Sequence, residues 1–375
     1  MIEATCNQVN QEGGYTGMRP ADFRDHVWRI ADRVGLERSR IILGGDHLGP
    51  NPWRHLPAPE AMAKARDMIA AYAAAGYEKL HLDASMGCAG EPATLADEEI
   101  ATRAAGLAAR AETAATAAPV YVIGTEIPTP GGATEALDHL RPTAPEAVLE
   151  THAVHERVFH DAGAEAAWRR VIAIVVQPGV EFGHEDVAVY DPSRARRLCA
   201  SLDRMPGLVF EAHSTDYQPE ISLRQLVQDG FAILKVGPAL TFALRETLYA
   251  LDAVAEILRL DGASLAGTME TIMTAQPKHW QSHYPGTAAQ QRVLRHYSYS
   301  DRIRYYWPAP DARVAVDALL RWLHGVKIPE TLISQYMPGL HERVLTRTIQ
   351  SEPRNLLIES VRDVLRRYGR ASAAP

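Results

Sequence analysis

The chain's clearest chemical signature is an acid beside an imidazole. In GGDHLGPN (Gly44–Asn51), Asp46 and His47 end an apolar, glycine-containing run. Neighbouring residues at a strand end point different ways, so one can bind metal while the other moves protons. Carboxylate and imidazole are the usual ligands of zinc and related ions. A second imidazole, His213, stands in FEAHSTDYQ. Glu126 in GTEIPTPGG or Gln177 in VVQPGVEF could complete the set. Glu126 suits a cation better, because its anionic oxygen offsets the ion's charge and an amide does not. His81 lies inside a strand run rather than at its end, and a satisfied core histidine is the expected role.

Other polar groups fall at matching places: Asn7 and Gln8, Asp83 and Ser85, Ser214 and Asp216, then Lys235. Asp83 joins Asp46 and Glu126 as a candidate for proton transfer. The loops HSTDYQ and KVGPALTF could bind phosphate through Ser214, Gly237 and Thr241, since backbone N–H groups after the last strands of a barrel do this. Asn7, Gln8, Ser85, Asp216 and Lys235 are placed with them as substrate- or phosphate-binding candidates. A Schiff base on Lys235 is the alternative chemistry, but it leaves the Asp-His pair and His213 without a purpose, and an ion pair is expected instead.

Something must bring these groups together. The β-type runs are Ile2–Thr5, Ile41–His47, Lys79–Ser85, Pro119–Pro128, Val171–Gly179, Leu208–Asp216 and Ala232–Gly237. They are nearly continuously apolar, as parallel strands covered on both faces are. Amphipathic helical stretches separate them: Pro20–Gly35, Pro59–Gly76, Asp97–Ala117, Pro145–Gly163, Asp191–Arg204 and Pro219–Gly230. Several carry Pro at the start or Gly at the end. This alternation predicts right-handed βαβ units in one parallel sheet, and a TIM-type (βα) barrel gathers every strand end at one mouth. Seven strands are found where a closed barrel has eight. Met1 abuts the first, so the barrel is expected to lack its first βα unit. A doubly wound sheet is the alternative, but GGYTG is not its GxGxxG fingerprint. Residues 1–260 are expected to form the barrel and 261–375 a helical extension, including the aromatic stretch HYSYSDRIRYYWP with Arg302 and Arg304.

Composition narrows the function. Among 375 residues, 46 acidic and 39 basic side chains are scattered without a basic stripe, which argues against a nucleic-acid partner. Three cysteines without CxxC spacing argue against a disulfide framework, and no uncharged run is long enough for a bilayer. A cytoplasmic protein that forms an oligomer is expected. No P-loop or Gly-rich nucleotide loop supports a kinase.

The segments IEATCNQVNQEGGYTGMRPADF, IILGGDHLGPN, HLDASMGCAG, IGTEIPTPGG, VIAIVVQPGVEF, FEAHSTDYQ, ILKVGPALTFALRE and SDRIRYYWP closely resemble the GatZ/KbaZ family, from Ile2 to about Arg366. These are the so-called non-catalytic subunits of D-tagatose-1,6-bisphosphate aldolase, also labelled tagatose 6-phosphate kinases, and some similar proteins are sugar-phosphate 4-epimerases. The family is similar in turn to class II zinc aldolases. By that resemblance Asp46 moves protons, while His47 and His213 bind the ion. Gln177-Pro178-Gly179 stands where class II enzymes have a His-Gly, leaving Gln177 or Glu126 to take that position. The implied cofactor is a divalent metal: zinc first, with manganese, cobalt or nickel as alternatives. The implied functions are an accessory subunit to a class II aldolase catalytic partner or, alternatively, a stand-alone 4-epimerase. The epimerase would interconvert fructose 6-phosphate and tagatose 6-phosphate by breaking and re-forming C3–C4. In either role the small molecule is a ketohexose phosphate.

Overall fold

The computed structural model describes residues 1–124, 140–258 and 264–373. Seven strands form one parallel sheet: β1 (Ile2–Thr5), β2 (Leu43–Leu48), β3 (Lys79–Leu82), β4 (Val120–Ile123), β5 (Val171–Val175), β8 (Val209–Ala212) and β9 (Phe231–Leu234). They pair in the order of the chain. Between β5 and β8 lies a short antiparallel pair that the sequence did not suggest, β6 (Glu181–Phe182) with β7 (Val187–Ala188). Helices α1 (Pro20–Val34), α2 (Ala58–Ala74), α3 (Asp97–Ala114), α4 (Pro145–Asp161), α5 (Glu165–Trp168), α6 (Pro192–Ala200) and α7 (Glu220–Gln228) alternate with the strands. Then come α8 (Pro238–Ile257), α9 (Leu265–Ala275), α10 (Ala288–Tyr297), α11 (Pro310–Trp322), α12 (Glu330–Tyr336), α13 (Pro338–Leu345) and α14 (Pro353–Ser372).

Side-chain alternation along the strands sorts two faces. Leu80, Leu82, Tyr121, Ile123, Ile174, Phe210 and Phe231 pack outward into one large core with the helices. Val122, Ala173 and Val175 form a separate small cluster on the other face. The same alternation puts Glu3, Lys79, His81 and Glu211 on that inner face, and two ion pairs show how strongly the sheet curls. Lys79 Nζ on β3 lies 2.9 Å from Glu3 Oε1 on β1 and 2.5 Å from Glu211 Oε2 on β8. In a flat sheet β3 and β8 would be about 14 Å apart, three intervals of roughly 4.8 Å. Lys235, just beyond β9, pairs with Glu3 of β1, so the two outermost strands of the described sheet also approach each other.

A second core joins the outer half of α8 to α9–α14, with Leu251, Met269, Met273, Leu319, Ile333 and Leu356 at its centre. The last helix also returns to the sheet. The Tyr368 hydroxyl donates to the Thr215 carbonyl at 2.7 Å, three residues beyond β8. Between α10 and α11, a turn of 3-10 helix (Arg302–Tyr305) starts from Asp301, which is buried and left-handed (φ 46°).

Burial pushes the Asp301 carboxyl up to about 7, against the pull of the Thr241 hydroxyl, which donates to it at 2.6 Å, and of Arg245. The folded protein therefore binds a proton here that the unfolded chain releases near pH 4. This contribution is full below pH 4 and is lost as pH rises through 7. Asp301→Asn keeps the acceptor and suits left-handed backbone. Between pH 5 and pH 8 its melting temperature should rise relative to wild type by roughly 2 °C or more. Parallel pH profiles from calorimetry would refute this.

Candidate metal centre

Four residues converge at the C-terminal ends of β2, β3 and β8. Asp46, His47, His81 and His213 each offer a ligand atom, all within 4.8 Å of one another. Sequence spacing puts them there: Asp46 and His47 close β2, His81 is on the inner face of β3, and His213 directly follows β8. Two glycines make room. A Cβ on Gly44 would lie 2.5 Å from the Glu3 carboxylate, and one on Gly49 would lie 1.6 Å from the Asp83 carbonyl. His47 and Ser214 both take left-handed backbone (φ 49° and 50°). Such strain in residues with side chains persists where surrounding structure enforces it, commonly at functional sites.

Buried carboxylates aim the rings. His47 Nδ1 donates to Asp83 Oδ2 at 2.8 Å, and Asp83 is held in turn by the Ser85 hydroxyl at 2.6 Å. His213 Nε2 donates to Glu211 Oε1 at 2.8 Å. Each contact fixes a tautomer whose other nitrogen is unprotonated, the carboxylate–histidine pattern of metal sites. His81 has partners on both nitrogens: Nε2 donates to the Gly124 carbonyl at 2.9 Å, and Nδ1 receives the His47 N–H at 3.2 Å. Asp46 Oδ1 nevertheless lies 3.0 Å from that Nδ1. His81 Nδ1 thus lies between the His47 N–H and the Asp46 carboxylate, and three contacts fix the ring. Asp46, His47 and His213 would be the donors that fit a divalent ion.

Charge states agree with that fit. Burial works against ionised Asp46, but His47, the His81 hydrogen bond and His213 hold its carboxyl well below the usual range. Glu211 also resists burial, and Lys79 with His213 holds it down to about 2. Burial pushes His213 down, towards the neutral form that binds metal. The donor set of imidazole nitrogens and a carboxylate fits a divalent ion such as zinc.

Comparison with known proteins gives the same direction. Residues 1–373 match the model of the D-tagatose-1,6-bisphosphate aldolase subunit GatZ/KbaZ-like family. The chain belongs to that family. The D-tagatose 6-phosphate 4-epimerase of Agrobacterium fabrum is 54% identical over 378 residues, covering 99% of this chain and 88% of its own. The crystal structure of a probable tagatose 6-phosphate kinase from Sinorhizobium meliloti 1021 superimposes with a TM-score of 0.93 at 56% identity, over 99% of this chain and 92% of that one.

Within this GatZ/KbaZ-like chain, other expected site residues take different roles. Glu126 lies outside the described residues. Gln177 Oε1 accepts from Gly179 and Val180 N–H at 2.8 and 2.9 Å, in the turn after β5. The N–H groups of Gly237 and Ala239 donate to Asp216 Oδ1 at 2.9 and 2.8 Å. Asp216 is thus a helix cap, and Thr241 bonds to Asp301. Lys235 pairs with Glu3 and lies 2.8 Å from Asp46 Oδ1. Ser85 serves Asp83, and Gln8 accepts from the Thr5 N–H at 2.8 Å. Asn7 is exposed at the mouth, while Ser214 is buried against Glu181. Sequence reasoning passed over Glu211, Glu3 and Lys79, although a charged residue inside an apolar strand always needs a partner.

Asp83→Asn should weaken metal affinity about 10- to 100-fold while the chain stays folded, because the His47 tautomer loses its anchor. Competition with a chromogenic chelator reads this directly. Unchanged affinity would remove Asp83 from the site.

Proposed function

We propose that this chain is a metal-dependent 4-epimerase that interconverts D-tagatose 6-phosphate and fructose 6-phosphate. The carrying observation is the Asp46–His47–His81–His213 cluster with its carboxylate-held imidazoles. Identity of 54% to a D-tagatose 6-phosphate 4-epimerase along almost the whole chain supports the substrate. We read the curled sheet as a TIM-type barrel whose mouth receives the sugar, in a cytoplasmic, oligomeric enzyme.

His47 and His213 would hold the ion, zinc first, and Asp46 stands beside them. A bound divalent ion supplies electrostatic stabilisation of the negative charge that develops on the ketose oxygens. Asp46, ionised at neutral pH, accepts the C4-hydroxyl proton. The C3–C4 bond then breaks, its electron pair moving toward the C2 carbonyl to leave an enediolate and an aldehyde. Rotation presents the aldehyde's other face, the bond re-forms, and Asp46 returns the proton to the inverted C4 oxygen. Asp83 and Glu211 keep the imidazoles aligned throughout. Buried walls keep water from quenching the enediolate.

A second reading, an accessory subunit for a class II aldolase, is favoured by the family's description as an aldolase subunit. The two separate in one assay. The purified chain alone, with zinc or manganese, should form tagatose 6-phosphate from fructose 6-phosphate. Asp46→Asn should lower kcat about 10²- to 10⁴-fold, the usual worth of a general base, and His213→Ala should lose the metal as well. An inactive but metal-loaded wild-type chain that gains turnover only with an aldolase partner would establish the accessory role.

A further inference from the structure

The N-terminus of α8, directly after β9, is where this barrel architecture customarily receives a phosphate. Here that position carries its own anion, because the Asp216 carboxylate takes the Gly237 and Ala239 N–H groups. A phosphate arriving there would meet a buried carboxylate, so the substrate's phosphate needs another place.

The turn Arg302–Tyr305 supplies one. It comes from the C-terminal helical region yet is tied to loops at three strand ends. The Tyr305 ring packs edge-on against Tyr15, in the loop after β1, at 5.4 Å. Just before the turn, the Tyr299 N–H donates to the His184 carbonyl at 2.8 Å, in the β6–β7 loop. The Tyr217 hydroxyl, beyond β8, donates to the Tyr299 carbonyl at 2.6 Å. The turn therefore borders the same mouth as the metal cluster.

Its two arginines are half-buried, and neither pairs directly with a carboxylate among the described residues, although Arg304 interacts through space with Asp216 and Asp301. Arg302 donates to the His279 carbonyl, and Arg304 donates to the Ser300 and Asp301 carbonyls and to the Tyr305 hydroxyl at 2.9 Å. Both guanidiniums also lie over the Tyr305 ring, at 5.4 and 4.5 Å. Among the described residues none of these partners is a carboxylate. Burial without a counter-ion disfavours the Arg302 charge and pulls its pKa down. Carbonyls and the ring fix the direction of both forks, and paired guanidiniums are the side chains best matched to a phosphate dianion.

We propose that Arg302 and Arg304 form a phosphate subsite of the mouth, where they receive the phosphate of the ketohexose 6-phosphate. This rests on the epimerase reading for the sugar, and the test keeps the two apart. Calorimetric titration of the metal-loaded full chain with fructose 6-phosphate and with fructose is the experiment. Arg302→Gln and Arg304→Gln should each raise the Kd for fructose 6-phosphate about 10- to 100-fold, at unchanged metal content. The weak binding of fructose should move less than twofold. Arg302→Lys and Arg304→Lys, which keep the charge and endanger the fold least, should show intermediate losses.

Fructose 6-phosphate affinity that ignores all four substitutions overturns the subsite. A chain that binds fructose 6-phosphate through these arginines but never epimerises it supports the subsite and sinks the epimerase reading. Wild type that binds no sugar phosphate overturns both.

Discussion

One buried ammonium sets the charge balance inside the curled sheet. Lys79 sits between Glu3 and Glu211, and all three belong to strands that would be far apart in a flat sheet. A carboxylate in such a place costs several kcal/mol unless paired, and removing one partner strands the others. Glu211 spends one oxygen on Lys79 and the other on His213. The Lys79 charge thus reaches the histidine cluster indirectly: it keeps Glu211 ionised, and ionised Glu211 fixes the imidazole. Curvature of the sheet and chemistry of the mouth are one electrostatic arrangement.

The inner face divides accordingly. Strands β1, β3 and β8 carry charge, while β4 and β5 contribute Val122, Ala173 and Val175. An apolar wall opposite a polar one lowers the local dielectric, which strengthens every interaction that aligns His47 and His213. The left-handed backbone at His47 and Ser214 has its strain offset by this network and by the tight approach at Gly49.

Much of this was legible in the chain. Apolar runs located all seven strands of the sheet, and proline and glycine bounded four of the helices between them (α1, α2, α4 and α7) to within a few residues. Asp46, His47 and His213 were found because strand ends in a parallel sheet share one face of the molecule. What stayed hidden had contacts set by curvature. Glu211 precedes His213 by two positions, and His81 precedes Asp83 likewise, so period-two alternation puts each pair on one face. Nothing local says that β3 and β8 meet. The partners of Gln177 and Gly237 stayed hidden for a different reason: nearby backbone and side-chain groups bond to them in turns whose geometry no sequence period reveals. Arg302 and Arg304 sit in a stretch with no strand or helix period, so their place at the mouth could come only from tertiary structure.

The helix that ends the described chain braces the loop behind His213, with Tyr368 bonded to Thr215 across 153 residues of sequence. Chain order then matters to assembly. During synthesis every imidazole of the cluster leaves the ribosome well before its brace does. The loop after β8 cannot take its final shape until α14 has been made and has docked. A contact of such sequence separation forms late in folding. A premature stop that deletes only the last helix would therefore spare all four cluster residues while leaving one of their loops unsupported.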